Sequence, residues 1–334
     1  MREHEVAIES PFGLAGVLCV PEDASVRRPA PAVVLLGGSG ADTRDGDLEP
    51  GWPAGTPDLP APGTLRRIAH RLASVGVATL RWDRRGFGGS GGRAEDSDYT
   101  SDLEDALAAT AWLRTRGEIN PARVGVAGHS AGALTACRVC RDDPDIAAAV
   151  FLGALASPIE DMLRWNLGRV ARHWERFTPD QRTWLSEQLP ASLVRGEGID
   201  HYLEQAKRGD PKVVLEGRGV TVEMRTSRLR QDLATSYEEE FRPVGCPALV
   251  LHGGDDLNVP VVDAFTAYQT LRAAGNDDVR LAVLPGLDHY FNPTLADPDE
   301  RVWQRVSLES LRRPMAVEAL AEVARWAVRV LRPT

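Results

Sequence analysis

Ser130 stands at the centre of Gly128-His129-Ser130-Ala131-Gly132, a spacing that can hold a hydroxyl in the open on a sharp strand-to-helix turn. Side chains two positions either side of such a serine would collide across the turn, which is why glycine suits both places. A serine hydroxyl is a weak nucleophile at neutral pH and needs a base, itself oriented by a carboxylate. Both types occur downstream. Asp255 and Asp256 lie in the turn after the apolar run Ala248-Leu249-Val250-Leu251, and His289 lies in the loop after Leu281-Ala282-Val283-Leu284. A serine, a carboxylate and a loop histidine together supply the chemistry of attack on a carbonyl through a covalent acyl-serine.

The same G-x-S-x-G pattern recurs as Gly88-Gly89-Ser90-Gly91-Gly92, so the surrounding elements must separate the two serines. Arg123–Ala127 precedes Ser130 and reads as a buried strand bounded by Asn120-Pro121. Ala131–Arg141 follows with helix-compatible apolar spacing. Ser90 sits in a glycine-dense loop with no helix opening behind it. The next helix signal there is Ser101-x-x-Glu104, read as a capping box ahead of Leu103, Leu107 and Leu113. Ser130 is therefore the candidate nucleophile; a plain strand-to-helix turn is the bland alternative.

Helical and strand patterns alternate along the chain: Leu65–Ser74, Val77–Arg81, Leu103–Leu113, Arg123–Ala127, Ala131–Arg141 and Ile146–Leu152. The alternation resumes with Ala248–Leu251, Phe265–Ala274 and Val279–Leu284, and ends in a helix with Pro314 near its start. This predicts an α/β fold with a mainly parallel central sheet and helices on both faces. A hairpin from Val6–Ile8 and Leu14–Leu18 opens the chain, and Ala32–Leu36 is a continuous apolar strand. Between Ser157 and Pro243 the strand signals fade and apolar residues recur at helical spacing, with Thr178-Pro179-Asp180-Gln181 as a capping box. The expected organisation is a core over 1–156 and 244–334 and a helical cap over 157–243. The cap's charges nearly balance, 14 Lys/Arg against 15 Asp/Glu, and give no sign of a charged-substrate preference. Its tryptophans, Trp165, Trp174 and Trp184, are expected to pack in its core.

At 334 residues the chain can bury a large core. A net charge of −9 and no Lys/Arg block argue against nucleic acid or an anionic membrane as partner. Met1-Arg2-Glu3-His4-Glu5 lacks the apolar core of a signal peptide, and no run approaches about 18 apolar residues, so a cytoplasmic location is expected. Cys19, Cys137, Cys140 and Cys246 read as reduced, mostly buried thiols. No histidine, cysteine or acid cluster has metal-ligand spacing, and neither a metal nor a cofactor is called for. Gly86-x-Gly88-x-x-Gly91 matches a dinucleotide fingerprint but lacks the helix that must follow its last glycine. The early glycines are not followed by the Gly-Lys-Ser/Thr of a Walker loop. His4, His70, His173 and His201 have no catalytic context, while His129 neighbours the serine and His252 precedes the acidic turn.

With these residues in place the chain resembles the α/β-hydrolase superfamily. Members commonly carry H-G-x-x-D-x-x-V-P around the acid, and His252-Gly253-Gly254-Asp255-Asp256-Leu257-Asn258-Val259-Pro260 matches with Asp256 in the acid position. The order serine, acid, histidine also fits. The resemblance implies Ser130 as nucleophile, His289 as base and Asp256 as the orienting acid, with Asp255 its competitor. It implies an oxyanion hole from the backbone amides of Ala131 and Ser39. Ser39 lies in Gly37-Gly38-Ser39-Gly40, where Gly37 replaces the histidine usual in the family. That loop and Asp42-Thr43-Arg44-Asp45-Gly46 resemble a bacterial serine-hydrolase subgroup related to acyl-peptidase and esterase branches. Asp83-Arg84-Arg85-Gly86 fits the superfamily's D-x-R-G loop, which gives Ser90 a structural explanation. The activity implied is cleavage of a carboxylic ester on a small-molecule acyl substrate. Thioester, amide or C–C cleavage and acyl transfer use the same constellation. A homodimer is compatible with the resemblance, and a non-catalytic binding protein of the same fold is the alternative of a different class.

Overall fold

The computed structural model describes residues 1–47 and 61–332. The chain opens with the antiparallel hairpin β1 (Arg2–Ile8) and β2 (Leu14–Val20). Strands and helices then alternate as β3 (Ala30–Leu36), α1 (Thr64–Ser74), β4 (Ala78–Trp82), α2 (Tyr99–Arg114), β5 (Ile119–His129), α3 (Ala131–Asp142) and β6 (Ala149–Leu152). An insert follows, made of α4 (Ile159–Leu167), α5 (Arg169–His173), α6 (Pro179–Gln188), α7 (Pro190–Glu197), α8 (Ile199–Arg208), β7 (Lys212–Gly217), β8 (Val220–Arg225) and α9 (Ser227–Leu233). The chain returns through β9 (Ala248–Gly253), α10 (Val262–Ala273), β10 (Val279–Leu284), α11 (Pro298–Val306) and α12 (Val317–Leu331).

The main sheet runs β1-β2-β4-β3-β5-β6-β9-β10, antiparallel through β1, β2 and β4 and parallel from there on. The parallel strands are continuous apolar runs because both faces are covered. In β3, Ala32, Val34 and Leu36 point into a core shared with Ala106, Leu113 and Cys137 of α2 and α3. Val33 and Leu35 point the other way, towards Ile68 and Leu72 of α1 and Val323 and Trp326 of α12. The period-two alternation of the strand thus builds two helical layers on one sheet, and the α/β-hydrolase fold is the one observed.

The insert has its own apolar cluster, with Ile159, Leu203, Val213, Leu215, Val222 and Tyr237 packed on Leu134, Leu155 and Val259 of the α/β core. A second cluster joins Phe177, Leu185 and Leu193 to Val302 and Val306 of α11. It is not wholly helical, because β7 and β8 form a two-stranded antiparallel hairpin turning at Arg218 (φ 49°) and Gly219 (φ 74°). Two successive residues of positive φ suit the right-handed twist of a tight hairpin.

Local boundaries also differ from the sequence reading. The first turn of α2 is capped by Asp98, whose carboxylate accepts from the amides of Thr100 and Ser101 while the Ser101 hydroxyl accepts from the Asp98 amide. Ser101 therefore closes the box from inside the helix and does not begin it. Pro314 lies ahead of α12, whose first helical residue is Val317. Of the insert's tryptophans only Trp174 packs on its apolar cluster; Trp165 and Trp184 are exposed, and Trp184 meets Trp303 edge-on at 5.5 Å. Among the described residues, no helix is long and apolar enough to cross a membrane.

Candidate active site

Ser130 occupies the turn between β5 and α3 with φ 56° and ψ −125°. A non-glycine residue held there stores about 1–3 kcal/mol of strain, which the surroundings must over-determine. They do. The Ser130 amide donates to the Leu152 carbonyl of β6 at 2.8 Å, and the Ser130 carbonyl accepts from the Ala133 amide at 2.9 Å. The flanking glycines are enforced by contact. A Cβ on Gly128 would lie 2.0 Å from the Gly132 oxygen, and one on Gly132 would lie 2.5 Å from the Leu36 oxygen.

His289 projects from the loop after β10. Asp288 folds that loop, accepting from the amides of Tyr290 at 2.9 Å and Asn292 at 2.8 Å. The buried Phe291 ring anchors it in the core, and the Phe291 carbonyl accepts from the Ala316 amide at 2.8 Å. Asp256 stands in the turn after β9, and its Oδ2 meets His289 Nδ1 at 2.6 Å. Its Oδ1 accepts from the amides of Asn258 at 2.7 Å and Val259 at 2.9 Å. Burial would raise this carboxyl, but the His289 charge and hydrogen bond, with help from His252 and the Val259 amide, hold it at about 2. It stays ionised and keeps the Nδ1 proton of His289, which leaves Nε2 as the basic nitrogen.

Asp255 faces elsewhere, engaged by the Thr294 hydroxyl at 2.7 Å and by the Arg301 guanidinium. Ser90 is a strut: its hydroxyl donates to the Asp83 carbonyl at 2.6 Å and accepts from the Ala15 amide at 3.0 Å. Ser130 and His289 line one cavity of about 270 Å³ together with Gly38, Ser39, Met162, Asn166, Tyr290 and Arg305. Gly38 approaches the serine so closely that a Cβ there would sit 2.7 Å from Ser130 Cβ.

Several contacts around the site were not legible in the sequence. Gly153, just past β6, has φ 58°, and a Cβ on it would lie 3.1 Å from the Nδ1 and Cε1 atoms of His289. His252 Nε2 lies 3.3 Å from Asp256 Oδ2 and 3.2 Å from the Val259 carbonyl. His129 packs its ring 4.7 Å from that of His289, and its Nε2 lies 2.9 Å from the His289 carbonyl oxygen. Burial, then the His289 charge, push His129 down to about 3, so it is neutral there. Arg84 holds the Ser39 loop by donating to the Gly38 carbonyl at 3.2 Å while pairing with Asp102 at 3.3 Å. Of these, only the D-x-R-G pattern that contains Arg84 carried a signal. Arg44 laces the two loops, with its Nη2 on Asp83 Oδ2 at 2.7 Å.

A family model described as serine aminopeptidase, S33, matches residues 62–292 and so takes in Ser130, Asp256 and His289. The chain belongs to this family of α/β-hydrolases. It is 27% identical over 246 residues to an uncharacterized protein of Mycobacterium tuberculosis strain H37Rv, a match covering 74% of this chain and 62% of that one. It is 26% identical over 290 residues to esterase EstD of Thermotoga maritima, covering 83% of this chain and 58% of the esterase. The chain thus spans about three fifths of the length of these curated relatives. Among solved structures, the α/β-hydrolase GrgF of Penicillium sp. sh18 superposes with a TM-score of 0.60 at 17% identity, covering 100% of each chain. That likeness is one of fold.

Proposed function

We propose that this S33-family hydrolase cleaves carboxylic esters through an acyl-enzyme on Ser130. The observation that carries the reading is the 2.6 Å Asp256–His289 hydrogen bond, which orients an imidazole lining the same cavity as the strained Ser130. His289 Nε2 takes the Ser130 proton as Oγ attacks the ester carbonyl, and the alcohol leaves with that proton. Water then gives a proton to His289 as it attacks the acyl carbon, and His289 passes that proton to Ser130 Oγ as the Oγ–C bond breaks and the acid leaves. The amides of Ala131, at the start of α3, and Ser39, in the loop pinned by Arg84, hold the oxyanion as it develops. The insert over 157–243 acts as the cap, since its Met162, Leu163 and Asn166 close one side of the cavity.

Although the family description names an aminopeptidase, the cavity favours esters. Recognition of an α-ammonium group needs an uncommitted carboxylate, and no Asp or Glu lines the Ser130 cavity among the described residues. Arg305 stands there instead. The test is kinetic. Ser130→Ala should lower turnover of a 4-nitrophenyl ester by about three orders of magnitude or more while KM changes little. Near-normal turnover in a folded variant would remove Ser130 from the mechanism.

A further inference from the structure

Arg169, the first residue of α5, is 3% exposed, and its Nη2 is enclosed without a hydrogen-bond partner. Among the described residues its guanidinium makes no hydrogen bond and no ion pair. Helix α5 packs on α11, which carries Arg305 into the Ser130 cavity. Arg305 donates through Nε to the neutral Asn258 side chain and has no carboxylate partner among the described residues. Most arginines of this chain meet an acid, as Arg44, Arg81, Arg85 and Arg301 do. Two that do not stand beside the one site where chemistry is proposed.

Their surroundings sharpen the point. Arg169 lines not the Ser130 cavity but a neighbouring one of about 540 Å³, with Trp165, Arg172 and the Asp256 turn. Arg172 is spent on the carbonyl oxygens of Arg164 and Trp165, at 2.8 and 2.6 Å. Asp255 is neutralised by Arg301, and Asp256 already holds His289 and two amides. Burial, then the charge of Arg305, push Arg169 down to about 9 against the pull of the Asp256 charge, so it remains a cation at neutral pH without a hydrogen-bonded counter-ion. An enclosed cation without a counter-ion is unfavourable, and an anion brought in from solution relieves it.

We propose that Arg305, backed by the charge of Arg169, receives an oxyanion, a carboxylate in the first instance, carried by the substrate whose carbonyl Ser130 attacks. This rests on the ester-hydrolase reading and names its substrate class: esters with an anionic group a few bonds from the scissile carbonyl. A planar guanidinium matches a carboxylate in a bidentate fork, and such a pair is selective over a neutral isostere. The near balance of charge within the insert does not reveal this preference, because Arg169 acts with a core arginine far along the chain.

The experiment compares two matched pairs on the full chain. 4-Nitrophenyl hydrogen adipate against 4-nitrophenyl hexanoate puts the charge on the acyl side; 4-acetoxybenzoate against 4-acetoxybenzamide puts it on the alcohol side. The expected result is about a tenfold or greater preference in kcat/KM for the anion in one pair, which assigns the half of the ester that carries it. Arg305→Gln and Arg169→Met should each reduce that preference by about tenfold, through KM. Free adipate should raise the melting temperature of the wild type and not of Arg169→Met, whose unliganded melting temperature should itself rise as an unpaired buried charge is removed. Equal treatment of anionic and neutral esters, or a preference that survives both substitutions, overturns the proposal and leaves the esterase reading standing. If no ester is cleaved the esterase reading fails, while the adipate-dependent melting shift still reports on the arginine pair, and its absence there overturns the anion site as well.

Discussion

Gly153 lies directly behind the His289 ring, so close that a Cβ on it would touch Nδ1 and Cε1 at 3.1 Å. The Gly153 amide is tied to the Leu251 carbonyl at 2.9 Å and its φ is 58°, so the backbone cannot withdraw easily. Together with Asp256 it fixes the imidazole from two sides. Gly153→Ala should tilt the ring and lengthen the Asp256 hydrogen bond. We expect kcat to fall by about ten- to a hundredfold, the range a misplacement of about 1 Å gives, with a stability loss of about 1 kcal/mol from the positive φ. Steady-state kinetics and urea unfolding check both, and an unchanged kcat would show that the ring is not held by this contact.

The two adjacent acids should separate cleanly. Asp256→Asn removes the charge that holds the His289 Nδ1 proton, and turnover should fall by about three to four orders of magnitude. Asp255→Asn alters only the Thr294 and Arg301 contacts and should change turnover by less than about tenfold. The reverse ranking would move the orienting acid by one residue.

His129 gives the site a stability signature in pH. Its folded-state value is depressed from 6.5 to about 3, so the unfolded chain takes up a proton near 6.5 that the folded chain refuses. Stability attributable to this group is therefore complete above 6.5 and falls as pH drops, by up to about 1.4 kcal/mol per unit, until about pH 3. His129→Gln should flatten the dependence between pH 6 and 4.5 by close to one proton, read from urea midpoints. A slope unchanged by the substitution would mean that His129 is not buried neutral.

Asp263, fully buried on α10, secures the point where the chain leaves β6 for the insert. It accepts from the amides of Ala156 at 2.9 Å and Ser157 at 3.0 Å and from the Ser157 hydroxyl. Asp263→Ala strands these donors and should cost about 2–4 kcal/mol of stability. Raised hydrogen exchange should be concentrated at 154–167; uniform loss across the core would contradict a local role.

What the sequence discloses and what it hides follow from range. The strand, sharp turn and helix around Ser130 are legible because buried parallel strands are continuous apolar runs and the turn demands its glycines. The Asp256 and His289 loops are legible because each follows such a strand. The β7–β8 hairpin is hidden because Val214 faces outward among charged neighbours, and the turn uses Arg218-Gly219 where Asn-Gly or Asp-Gly is the familiar signal. Asp98 is missed as the cap of α2 because Ser101-x-x-Glu104 imitates a box three residues later. Gly153 beside His289 and His252 beside Asp256 are contacts between separate elements or across a folded turn, the charges of Arg169 and Arg305 are brought near by the packing of α5 on α11, and no local pattern reports them.

The central claim is a covalent acyl-enzyme on Ser130, and mass spectrometry tests it most directly. The protein is mixed with a 4-nitrophenyl ester, quenched in acid within the first turnovers, digested and searched for the acyl mass. The account predicts an adduct on the peptide containing Gly128–Gly132, located on Ser130, absent in Ser130→Ala and accumulating in a variant slowed at deacylation. Turnover with no adduct there, or an adduct on Ser90 or any other residue, would contradict it.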